Sequence, residues 1–74
     1  MNMGVFMFRQ RQLKEKIALY EYENTIHRRQ IEDIEKRLTK ENAPKAALER
    51  NKKALEKQIE YANVQIKKLK RQCL

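Results

Sequence analysis

Leu38-Thr39-Lys40-Glu41-Asn42-Ala43-Pro44-Lys45-Ala46-Ala47-Leu48 is the stretch that decides how this chain folds. On both sides of it, apolar residues recur at alternating steps of four and three. Before it the series is Leu13, Ile17, Tyr20, Asn24, His27, Ile31, Ile34 and Leu38. After it the series is Leu48, Leu55, Ile59, Ala62, Ile66, Leu69 and Cys73. That rhythm is the a/d seam of a coiled coil. Pro44 has no N–H to donate and turns the residue before it away from helical geometry. The stretch therefore reads as a turn between two helices. In one continuous helix the seam would have to carry Glu41, Lys45 and Lys52. Beside a turn those charges reach water.

The expected fold is all-α: an antiparallel two-helix coiled-coil hairpin that dimerises into a four-helix bundle. Helix 1 is expected from about Arg9 to about Lys40, the turn over about 41–43, and helix 2 from about Ala43 to about Gln72. Residues 1–8 form an apolar N-terminal segment outside this hairpin, although Phe6 continues the d phase and allows an earlier start. Asn42 is the expected N-cap of helix 2, with Pro44 in its first turn. Glu32–Lys36, Asp33–Arg37 and Glu49–Lys53 are spaced to pair along the helix surface. Each helix would be roughly 45 Å long.

Folding the chain about Ala43 sets a register. Leu38 faces Leu48, Ile31 faces Leu55, His27 faces Ile59, Asn24 faces Ala62, Tyr20 faces Ile66, and Ile17 faces Leu69. Ile34 faces Lys52, whose methylene stem can cover it. Two polar residues lie on this seam. Asn24, at an a position, penalises wrong registers and wrong oligomers. His27 sits at d, one turn after Glu23, where a hydrogen bond to that carboxylate or to water is expected and where protonation would strain the seam. Both are read as core polar residues that set specificity.

The hairpin has a second apolar feature. With Ile17 at a, Leu19, Ile26, Ala47, Ala54 and Tyr61 fall at c, and the adjoining g positions include Gln30, Asn51, Gln58, Gln65 and Gln72. The opposite side carries Glu21, Arg28, Glu32, Glu35, Glu49, Lys53, Glu56 and Glu60. Depletion of charge with aromatics present is the composition of an interface core. Leu19, Ile26, Ala54, Tyr61, Gln58 and Gln65 are thus the candidate face for self-association or a partner.

Charge collects elsewhere. The 74 residues carry a net charge of +8, with 38% charged side chains. In the hairpin the chain ends meet, which brings Arg9, Arg11, Lys14 and Lys16 beside Lys67, Lys68, Lys70 and Arg71, next to the apolar Phe6 and Phe8. This basic open end suits an acidic protein surface, nucleic acid or an anionic membrane. The basic residues form no stripe along one helix, and no base-reading motif is present, so specific DNA recognition ranks low.

Catalysis needs a nucleophile, a base and charge stabilisation in a shielded pocket. One His, one Gly and one Cys in a short hairpin do not supply them, so the chain is not expected to be an enzyme. No cofactor is expected, and no His/Cys spacing makes a metal site. The single Cys73 cannot close an internal disulfide and fits a reducing compartment. The apolar start is too short for a bilayer span and has its basic residues on the wrong side for a signal peptide. The expected location is the cytoplasm. The function expected is a non-catalytic protein–protein interaction module: an adaptor, an assembly factor or a small inhibitor that binds a larger protein. The alternative is a binder of nucleic acid or anionic membrane through the basic end.

Overall fold

A computed structural model of the chain describes residues 3–73. It contains two helices, α1 (Met3–Leu38) and α2 (Lys45–Gln72). They pack on one another along the length of α2 as a helical hairpin. There is no strand among the described residues. The result is a rod of 64 × 15 × 13 Å.

The seam holds as a pattern of burial. Each expected seam position from Leu13 to Leu38 and from Leu48 to Cys73 is buried or half-buried, Lys52 included. Among the described residues, full burial is confined to Leu13, Leu48, Ala62 and Asn24. Ile17, Ile31, Ile34, Leu55, Ile59, Ile66 and Leu69 are only half-buried. Two helices touch along one line, so each seam side chain keeps a flank open to water. One hydrogen bond and one ion pair across the helices agree with the register. Asn24 Nδ2 donates to Asn63 Oδ1 at 2.9 Å, and Lys52 Nζ lies 3.9 Å from Glu35 Oε1. The partners in each bond are nearly equidistant from the turn, next to the facing pairs Asn24/Ala62 and Ile34/Lys52.

The turn is built without a left-handed residue; no described residue has positive φ. The end of α1 tightens to bonds three residues back, Thr39 N–H to the Lys36 carbonyl (3.4 Å) and Lys40 N–H to the Arg37 carbonyl (3.1 Å). Thr39 Oγ1 also donates to the Lys36 carbonyl at 2.6 Å. These bonds satisfy carbonyls that a helix end leaves without partners. Lys36 and Arg37 in that last turn suit the negative end of the helix dipole.

Three details differ from expectation. The N-cap of α2 is Pro44, at φ −75 and ψ 79, with no side-chain cap. Asn42 lies in the turn. Ala43 precedes a proline and is kept out of helical geometry, so Asn42 cannot flank the helix, and the Pro44 carbonyl accepts the first bond, from Leu48 N–H at 3.0 Å. The helix bounds also shift. α1 begins at Met3 and ends at Leu38, so residues 3–8 are helical, continuing the phase that Phe6 carries; Met1 and Asn2 lie outside the described residues. Finally, none of the three surface pairs along one helix closes to 4.0 Å; among the described residues the ion pair is the cross-helix Lys52–Glu35.

Candidate interaction surfaces

The candidate face runs along one flank of the rod. Leu19 is 62% exposed, Ile26 38% and Tyr61 61%. Ala54 and Gln58 are exposed and Gln65 is half-buried. The face is therefore open, and it is continuous with the half-covered seam. An open groove of about 290 Å³ is lined by Tyr20, Glu23, His27, Lys57, Gln58, Tyr61 and Ala62. A second, of about 390 Å³, lies nearer the turn between Gln30, Asp33, Ile34, Arg37, Asn51, Ala54 and Leu55. Asp33 and Arg37 bring charge to the turn-proximal part of the flank. Glu23 and Lys57 bring charge to the middle groove as well, so the apolar part of the flank is confined to the exposed Leu19, Ile26 and Tyr61. Tyr22 and Val64 are also exposed, at 66% and 46%, on the face away from the seam.

Asn24 is the most buried of the described residues, 2% exposed. Its Nδ2 is bonded to Asn63, but its Oδ1 is buried without a partner, and so is Nδ1 of His27. His27 makes no hydrogen bond to Glu23. His27 is half-buried on the seam, whereas Glu23 is exposed. A pairing of a with d positions misses Asn63, which sits at the neighbouring e position. The signal was present: an amide adjoining Ala62 stands within reach of an amide facing Ala62.

At the open end the two helices do not finish together. α1 has 36 residues and α2 has 28. α2 stops at Cys73, whose φ −80 and ψ 140 are extended. Cys73 faces Leu13, so the part of α1 before Leu13 runs on past α2. Lys14 and Lys16 stand level with the last turn of α2, where Lys70 and Arg71 lie. Arg9 and Arg11 stand just beyond it on the single helix, instead of beside Lys67 and Lys68 as the meeting of chain ends implied. All of these cations are exposed. So are Phe6, at 43%, and Phe8, at 60%, together with Val5 at 65% and Met7 at 64%.

The described residues contain no group of three or more His, Cys, Asp or Glu side chains that could hold a metal ion. Cys73 is half-buried with a free thiol. No helix is long and apolar enough to cross a membrane. Comparison with protein-family models, with curated proteins and with solved structures gives no match.

Proposed function

We propose that this chain is a non-catalytic protein–protein interaction module of the cytoplasm, an adaptor, assembly factor or small inhibitor of a larger protein, and that a second copy occupies its apolar flank in the free protein. One observation carries the reading. The hairpin leaves most of its seam half-covered, and Leu19, Ile26 and Tyr61 extend that uncovered surface along one side. A chain of this size has little core to spare. Packing two such flanks together would make a four-helix bundle and would cover the open side of Ile34, Leu55 and Tyr20 at the same time. The opposite side, rich in carboxylates and cations, would remain in water. A partner protein presenting an apolar helix could displace the second copy by the same contacts.

Light scattering on a size-exclusion column tests this. A dimer at low and at high salt is the expected result, because packed apolar contact is not screened. Ile26→Glu with Tyr61→Glu should give a helical monomer. A monomer for the unaltered chain at both salts would overturn self-association. A dimer that survives the double substitution would move the contact off this flank.

A further inference from the structure

The overhanging end of α1 carries a separate inference. Val5, Phe6, Met7 and Phe8 are consecutive residues of one helix. At about 100° per residue they point to all sides of it. All four are exposed, since α2 ends before reaching them. A helix that is apolar all round belongs in a surrounding that is apolar all round. A protein groove, or a second hairpin laid alongside, would cover one side and leave the others wet. The hydrocarbon of a lipid layer would cover them all.

Charge directly behind this tip selects the kind of layer. Residues 9–16 and 67–71 hold eight basic side chains against one carboxylate, Glu15, a net of +7. The shaft between, residues 17–66, holds ten basic and nine acidic side chains, a net of +1. Nearly all of the chain's net charge of +8 is thus a collar around the base of an apolar tip. We propose that the open end docks the rod end-on to an anionic lipid bilayer, Val5–Phe8 entering the acyl boundary and the collar meeting the lipid phosphates.

The dimensions agree. Val5 to Phe8 spans about 5 Å of helix, far short of the ~30 Å hydrocarbon core, so the segment can enter the acyl boundary without crossing the bilayer. Phe8 to Arg11 spans about 5 Å and Phe8 to Lys16 about 12 Å, so Arg9 and Arg11 lie inside one Debye length of ~8–10 Å from the headgroups and Lys14 and Lys16 near its edge. An apolar element joined to a basic cluster is the two-signal arrangement that stable peripheral binding requires. Nucleic acid would satisfy the collar but leave the apolar tip in water. The site differs from the flank used for self-association, so the two proposals fail separately.

The test uses the whole chain with two kinds of vesicle, pure phosphatidylcholine and phosphatidylcholine with a third phosphatidylserine. Flotation should recover the protein with the anionic vesicles only, and less of it as salt rises. Phe6→Ser with Phe8→Ser should weaken binding about a hundredfold, since each Phe contributes about tenfold when buried. Arg9→Gln with Arg11→Gln should weaken it about fivefold per residue. The chain has no tryptophan, so Phe8→Trp is a clean reporter and its emission should shift to the blue on anionic vesicles. Phe6 and Phe8 lie outside the contact with α2, so unchanged thermal melting checks that their variants fold. Equal recovery with neutral vesicles would overturn the proposal. So would vesicle binding that the Phe6/Phe8 variant retains, or binding to a DNA duplex without vesicle binding.

Discussion

The two ends of the rod carry similar apolar residues and treat them in opposite ways. At the turn end, Leu48 is 7% exposed, covered because α1 and α2 are joined there and lie side by side. At the open end, Phe6 continues the same heptad phase and is 43% exposed, with Val5, Met7 and Phe8 more exposed still. The difference is one of length and not of sequence character. α1 exceeds α2 by about 12 Å at 1.5 Å per residue. An a/d pattern states that a side chain seeks cover; whether cover exists depends on where the other helix stops.

The strongest way to break this contrast is to truncate one residue from each end. Leu48→Ala should cost about 2–4 kcal/mol, the range for removing a buried leucine. Phe6→Ala should change stability by less than about 0.5 kcal/mol, as for a side chain with little to pack against. Urea melts followed by circular dichroism measure both. Equal losses would mean that the overhang is packed in solution, against a second copy for example, and the two ends would no longer differ.

The middle of the rod sharpens the comparison from the polar side. Asn24 is buried more completely than any apolar residue of the seam, and its Oδ1 has no partner. An orphaned buried acceptor costs about 1–3 kcal/mol. Asn24→Leu should therefore raise stability by about 1–2 kcal/mol and yield a mixture of oligomers in light scattering, because the amide that marks one register is gone. A single clean oligomer would remove the specificity role. Asn63→Ala should act in the opposite direction, by about 1 kcal/mol, since it leaves the Asn24 amide wholly unpaired.

The parts of this fold legible in the sequence are those that depend on period. The seam, the turn at Pro44 and the register follow from spacing alone, and the exposed flank of Leu19, Ile26 and Tyr61 follows from placing that spacing on a wheel. What was not legible depends on backbone angles or on neighbours across the seam. Asn42 has the chemistry of a cap, yet the proline two residues later moves the helix start to Lys45. Asn63 binds Asn24 from an e position, which a pairing restricted to a and d passes over. The collar was legible as composition, but its geometry required knowing that Arg9 and Arg11 lie beyond the end of α2.

The smallest effect belongs to the bond between Glu35 and Lys52. It spans the helices near the turn, at 3.9 Å, with side chains 55% and 27% exposed. A pair so open to water gains little from Coulomb attraction and must order two long side chains to gain it. A double-mutant cycle with Glu35→Ala and Lys52→Ala should give a coupling of about 0.2–1 kcal/mol, shrinking at high salt. Lys52 itself is a different matter, because it occupies an a position on the seam. Lys52→Leu gives up the ion pair but places an apolar side chain opposite Ile34, and the burial of a leucine outweighs an exposed ion pair. It should raise the melting temperature where Glu35→Ala lowers it slightly. If Lys52→Leu instead destabilises the hairpin, then the charge at this seam position is doing more than reaching water, and the turn end is held together by electrostatics to a degree that the burial of Leu48 does not suggest.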